Sequence, residues 1–148
     1  MKKLLALAAL AFASVSTQAA ANECELTVTT GDKMAYDQSS LSVPASCSEV
    51  TLTLEHQGSM PVTSMGHNWV LSETGNLQDI AMKGAGAGAD NDYLPQGDDR
   101  ILAHTKLVGG GESTTITIST DGLQGKDLTY FCSFPGHWTV MKGKFTIE

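Results

Sequence analysis

An all-β fold, built as a two-sheet sandwich or a barrel, is what this sequence of 148 residues predicts. Three observations predict it. Short segments rich in Thr, Val and Ile alternate polar and apolar residues with a period of two, as strands with one buried face do. Turn residues punctuate them at Gly31-Asp32, Gly109-Gly110-Gly111 and Asp121-Gly122. Only one stretch carries a helical pattern, and it is short. Several short strands spaced in this way close into a sandwich or a barrel.

The chain opens with Lys2 and Lys3, continues through an apolar run from Leu4 to Val15, and reaches Ala19-Ala20-Ala21 before the polar Asn22 and Glu23. A cationic head, an apolar middle and a small-residue cleavage site are the layout of a secretory signal peptide, here residues 1–21. The apolar run is shorter than the roughly 18 residues a membrane span needs. Residues 22–148 are then one exported, soluble domain, long enough to bury a single core. Loss of Lys2 and Lys3 changes 9 basic residues against 16 acidic to 7 against 16, a net charge of -9. That balance disfavours nucleic acid and anionic membranes and leaves proteins and small molecules as partners.

In chain order, the predicted strands are Glu25–Thr29, Val50–Leu54, Asn68–Leu71, Thr115–Ile118, Leu128–Phe131 and Lys144–Ile147. Between the third and fourth, Leu77, Ile80, Ala81 and Met82 form a weak apolar face, which predicts a short helix from Asn76 to about Lys83. The glycines from Gly84 to Gly88 either end that helix or fray its continuation, since an interior glycine costs ~1 kcal/mol against alanine. Asp90-Asn91-Asp92 and Asp98-Asp99 predict an acidic, solvent-facing loop. There is no phosphate-cradling glycine motif and no tandem repeat.

Cys24, Cys47 and Cys132 are an odd number in an exported chain, so two can pair and one needs another use. Cys24 and Cys47 lie at the edges of candidate strands in the N-terminal third. Bridging them would close a loop of 24 residues, counting both ends, and add about 3 kcal/mol on a chain-entropy account. Cys132 would then be a free thiol in an oxidising compartment, a liability unless burial or a metal protects it.

Cys132 follows Tyr130 and Phe131 at a strand end. His137 comes after the turn pair Pro135-Gly136, and Met141 follows three residues later. The C-x4-H-x3-M spacing gathers a thiolate, an imidazole and a thioether on one loop, ligands that suit copper in both oxidation states. Of His56, His67 and His104, His67 is the best further ligand, because it stands after Gly66 at the entry to a strand that docks in the core. Glycine there would also let the backbone carbonyl approach a metal. The predicted set is Cys132, His67 and His137 in a trigonal plane, Met141 as a long axial ligand and the Gly66 carbonyl opposite, a set tied to one-electron transfer. A Cys132 hydrolase leaves Met141 unexplained and lacks an oriented acid. A copper or zinc carrier would use the same ligands but favour exposed, exchangeable ones.

The segments "MGHNWVLS", "DYLP", "ILAHTKLVGGGE" and "YFCSFPGHWTVMKGKFTI" resemble the azurins, bacterial blue-copper proteins of the cupredoxin family, in the same order and across essentially the whole of residues 22–148. The resemblance implies an eight-stranded Greek-key sandwich with a helical flap, a Cys24–Cys47 disulfide and the copper set above, with electron transfer and no enzymatic activity. It implies that the Asn68 side chain ties the ligand loops together, and that the amides of Asn68 and Phe134 donate to the Cys132 sulfur. It also implies an apolar docking patch of Met34, Met65, Phe134, Gly136 and Trp138 around the His137 edge. Partners would be c-type cytochromes and copper- or quinone-containing oxidoreductases, met in the periplasm by a monomer. His56 resembles a family histidine that titrates near the metal without binding it, His104 reads as structural and Trp69 as core. Trp138 departs from the small residue usual there, either enlarging the patch or covering local backbone, and the glycines from Lys83 to Ala89 leave the flap length open.

Overall fold

The computed structural model describes residues 22–148; the predicted signal peptide, residues 1–21, lies outside them. Two sheets face each other. One has the strand order β2-β1-β4-β7, from β1 (Glu25–Gly31), β2 (Lys33–Tyr36), β4 (Glu49–His56) and β7 (Ser113–Ser119). The other has the order β3-β9-β8-β5-β6, from β3 (Ser40–Val43), β5 (Val70–Glu73), β6 (Ala103–His104), β8 (Leu128–Phe131) and β9 (Lys142–Ile147). The pairs β1–β4 and β3–β9 are parallel, and the chain reaches them by crossing between sheets rather than by hairpins.

Alternation puts one set of side chains inside. In β4, Val50, Leu52, Leu54 and His56 are buried, while Glu49 and Thr51 face out. Val50, Leu52 and Leu54 meet Val28, Leu41, Val43, Trp69, Leu71, Leu128, Tyr130 and Phe145 in the main core. A disulfide joins Cys24 to Cys47, with Cα atoms 5.7 Å apart, and so ties the start of β1 to the turn before β4.

The central strand β8 is buried along its whole length, which one-sided alternation does not explain. Its outer face is covered by helix α2 (Leu77–Ala85): Leu77, Ile80 and Ala81 pack with Val70, Phe131 and Leu94 in a second cluster. The helix extends two residues past the predicted end at Lys83. It runs through Gly84 because a Cβ there would stand 2.0 Å from the Tyr93 carbonyl oxygen, so only glycine allows the helix to lie against that backbone.

Six of the nine strands coincide with predicted ones. β2, β3 and the two-residue β6 were not foreseen. β3 does alternate, with Leu41 and Val43 buried, but over only four residues. Each of the three is held by its pairing, β2 with the adjacent β1, β3 with β9 and β6 with β5. The sandwich therefore has nine strands among the described residues rather than the eight implied by resemblance. The predicted acidic loop is solvent-facing only in part. Asp92 is half-buried and its side chain is used inside the fold, while Asp98 pairs with Arg100.

Candidate metal centre

Strand phase decides which side chains meet at the end of the sandwich. Trp69 and Leu71 point into the main core, so His67, two residues earlier, points the same way, and Asn68 points toward the flap with Val70. Along β8, Tyr130 is inward and Phe131 lies on the flap side, so Cys132 is inward and Ser133 faces the flap. Two donor groups are thereby brought to one interior corner, and their neighbours to the other side of the sheet.

His67 is anchored by reciprocal backbone bonds with Val108, at 2.9 and 2.8 Å. Gly66 is buried just before it, at the end of a single helical turn, α1 (Val62–Met65). A Cβ on Gly66 would approach the Val62 carbonyl to 2.4 Å, which gives a reason for glycine besides approach to a metal. The loop after Cys132 turns at Gly136, with φ 85°, and His137 begins a 3-10 turn (His137–Thr139). The Cys132 N–H donates to the Met141 carbonyl at 3.1 Å, one step beyond the Phe131–Lys142 pair. This register sets Met141 directly across from Cys132, and opposite residues of an antiparallel pair share a face. Met141 is fully buried.

The Cys132 sulfur lies 3.8 Å from His67 Nδ1 and 3.6 Å from His137 Nδ1, and the three donor atoms all fall within 4.8 Å of one another. All three residues are buried, His137 with 4 % of its surface exposed. The His67 ring points Nε2 at the Gly31 carbonyl, 2.9 Å away, so Nε2 carries the proton and Nδ1 keeps its lone pair for the corner. The His137 ring stacks on Phe134, with centroids 4.5 Å apart.

Electrostatics leave these donors uncharged in the metal-free protein. Burial pushes the Cys132 thiol up to about 12, against the pull of the Asn68 and Phe134 backbone amides. Burial pushes His67 down to about 4 and lowers His137 as well. The neutral thiol has one proton and can donate to only one of the two Nδ1 lone pairs at a time, a weak S–H hydrogen bond that leaves the other unpartnered. A cation would recruit both lone pairs and release the thiol proton, and a thiolate with two imidazoles is the donor set of copper or zinc.

Around the corner, the remaining predicted residues fall in different places. His56 is buried and stacks on His67 with centroids 5.0 Å apart; its Nε2 meets the Met65 carbonyl at 2.9 Å and its Nδ1 accepts from the Gly58 N–H at 3.1 Å. His104, read as structural, is instead exposed on the edge strand β6, where it has only the Thr105 carbonyl at 3.1 Å, because the sheet ends there. Met34 is 48 % exposed, Gly136 is exposed, and Met65 and Phe134 are partly so. Trp138 is half-buried and packs against the flap cluster, so much of its ring covers the flap rather than enlarging an apolar surface.

Sequence reasoning missed four supports. The Gly31 carbonyl sets the His67 tautomer. The Tyr36 hydroxyl donates to the Asn68 carbonyl at 2.5 Å. The Asp32 carboxylate accepts from the N–H groups of Ser59, at 3.0 Å, and Met60, at 2.9 Å, and those bonds hold its pKa below the usual carboxylate value. The Asp92 carbonyl accepts from Asn68 Nδ2 and Ser133 Oγ, at 3.0 and 2.7 Å. Carbonyl acceptors leave no mark on a sequence, and the Asp32 turn shows only as Gly31-Asp32.

A Greek-key sandwich with a buried Cys and two His gathered at one end is the arrangement of the cupredoxins. The plastocyanin/azurin family of copper binding proteins matches across residues 22–148. Azurin iso-2 of Methylomonas sp. strain J is 49 % identical over 126 residues, 84 % of this chain and 98 % of that protein. The azurin of Bordetella pertussis is 46 % identical over 132 residues, 88 % of each chain. A solved structure of azurin Az-iso2 from the methylotroph superposes with a TM-score of 0.82 over 84 % of this chain and 98 % of that one, at 49 % identity. The chain belongs to the plastocyanin/azurin family and is an azurin-type electron-transfer protein, not an enzyme, with the His/Cys/His triad typical of type 1 copper sites.

Proposed function

We propose that the centre would hold one copper ion through Cys132, His67 and His137, with Met141 and the Gly66 carbonyl as further ligands. The observation that carries this is the convergence of three buried, uncharged donors within 4.8 Å at the rigid end of the sandwich. Bound copper would supply the one-electron Cu(I)/Cu(II) couple. The protein's part is to keep the donors still: His67 by its bond to Gly31 and its bridge to Val108, Cys132 by its backbone bond to Met141, and His137 by its 3-10 turn. A carrier or storage role, for copper or zinc, fits less well, because ligand exchange needs exposure and Cys132 has none.

His137 lies on the loop nearest solvent and gives electrons a short way out. Partners would dock on the patch of Met34, Met65, Phe134 and Gly136, with Trp138 at its flap-side margin. Small c-type cytochromes and copper- or quinone-containing oxidoreductases suit such a patch, since transient redox encounters use small interfaces. We place the protein in the periplasm, with residues 1–21 removed as an export signal and 22–148 working as one monomeric domain. Among the described residues, no helix is long and apolar enough to cross a membrane.

Metal analysis combined with protein-film voltammetry tests the reading. One copper per chain and a reversible one-electron wave are expected. Stoichiometric copper with no reversible wave would leave a binding protein and remove the electron-transfer reading.

A further inference from the structure

We propose that Asp92 and Tyr93, where the flap loop doubles back, are positioning residues for the metal centre: together they tie the flap to the segments carrying all three donors. The consequence at the metal rests on the copper reading above. The ties themselves belong to the protein with or without metal.

Asp92 and Tyr93 have φ of 54° and 51°, the non-glycine residues with positive φ among those described. The left-handed conformation costs a non-glycine residue roughly 1–2 kcal/mol, and two in succession persist only where the surroundings determine them. Aspartate tolerates it better than most; tyrosine does not.

The surroundings that determine them are the ligand segments. The Asp92 carbonyl uses both lone pairs, accepting from Asn68 Nδ2 beside His67 and from Ser133 Oγ beside Cys132. The Asp92 carboxylate accepts from the Leu107 N–H at 2.8 Å, and the next residue, Val108, is the one that pairs with His67. The Tyr93 ring meets Phe134 edge-on, with centroids 5.2 Å apart, and Phe134 stacks on His137. Behind the kink, the Tyr93 carbonyl presses on Gly84 of α2. A turn needed only to connect α2 to β6 would not require strained residues bonded to both ligand-bearing segments and to the segment that pairs with His67. Groups just outside a metal's ligands fix their orientation and tune the metal.

Three variants test this: Asp92→Ala, Asp92→Gly and Asp92→Asn. In metal-free protein, amide hydrogen exchange reads the ties directly. Copper-loaded protein is read by the copper hyperfine splitting in electron paramagnetic resonance and by competition with a chelator. Asp92→Ala and Asp92→Gly are expected to speed exchange at the Leu107 amide, change the hyperfine splitting and weaken copper binding about ten- to hundredfold. Asp92→Asn keeps an acceptor and tolerates the backbone, and is expected to restore all three. Glycine removes the backbone strain, so it reports the side chain alone if the alanine variant fails to fold. Wild-type exchange and wild-type copper spectra in Asp92→Gly would overturn the proposal. A wild-type protein that gave no thiolate–copper signal would remove the copper reading, while Leu107 exchange would still decide whether the ties exist.

Discussion

Asn68 and Ser133 are hydrogen-bonded twice: Asn68 Oδ1 accepts the Ser133 N–H at 2.9 Å, and Asn68 Nδ2 donates to Ser133 Oγ at 2.7 Å. Each residue directly follows a donor of the metal centre, so this pair locks His67 and Cys132 to one another on the flap side of the sheet. Both residues are fully buried. Replacing Asn68 with alanine leaves the Ser133 N–H without its acceptor, at a cost of about 1–3 kcal/mol. Chemical denaturation of the metal-free Asn68→Ala variant is expected to show that loss in its midpoint at unchanged slope. An unchanged midpoint would mean that the two segments are held by something else.

The metal-free protein should lose stability in mild acid. His67 is depressed to about 4 in the fold, whereas an imidazole in the unfolded chain titrates near ~6.5. Between those values the unfolded state binds more protons, so stability is full above the upper value and falls as pH drops toward the lower one. His137, also lowered by burial, acts in the same direction. Urea titrations across this window are expected to show a decline of the order of 3 kcal/mol from His67. A flat profile between pH 6.5 and 4 would contradict the buried, neutral state assigned to it.

Gly84→Ala sets helix propensity against packing. Alanine favours the helix by about 1 kcal/mol, but its Cβ would meet the Tyr93 carbonyl at 2.0 Å and force main chain to move. Overpacking of that kind typically costs 1–3 kcal/mol, about enough to outweigh the gain. A lowered melting temperature is therefore expected, with changed amide shifts at Asp92 and Tyr93. A rise in melting temperature would show that the helix and the kink are not in contact.

Removing the disulfide with the double variant Cys24→Ser, Cys47→Ser should cost about 3 kcal/mol on the chain-entropy account. The bond joins residues 23 apart, at the far end of the main core from the ligand loop's own supports. Differential scanning calorimetry should show the loss, while the absorption of the copper-loaded variant stays the same. A changed spectrum would place the disulfide among the supports of the centre.

Trp138→Ser should alter electron exchange with protein partners more than it alters copper absorption, because the half-buried ring stands at the flap-side margin of the proposed docking patch and is not among the proposed ligands. Stopped-flow exchange with a small c-type cytochrome and a visible spectrum measure the two effects side by side. Lost blue colour with unchanged exchange would contradict this placement.

Much of the centre was legible because its parts are local. Cys132 and His137 sit within one loop, with Met141 at the spacing that suggested a further ligand, and the alternation of Asn68-Trp69-Val70-Leu71 gives His67 its direction. Of the strands that were missed, Lys33–Tyr36 has no buried face to give it a period and is held by the adjacent β1. Ser40–Val43 alternates over only four residues and is defined by its pairing with β9, at the far end of the chain. Asp92 was legible only as a charge in an acidic loop, since its function lies in a main-chain carbonyl and a left-handed turn. Gly84 read as a helix breaker, because the contact that requires it comes from residues nine and ten positions later.

The central claim, a buried thiolate–copper centre, is tested most directly by visible absorption of residues 22–148 as one equivalent of Cu(II) is added, before and after ascorbate. An intense sulfur-to-copper charge-transfer band that saturates at one copper per chain and bleaches on reduction is the predicted result. Copper bound at one per chain without that band would contradict the assignment of Cys132 as its ligand.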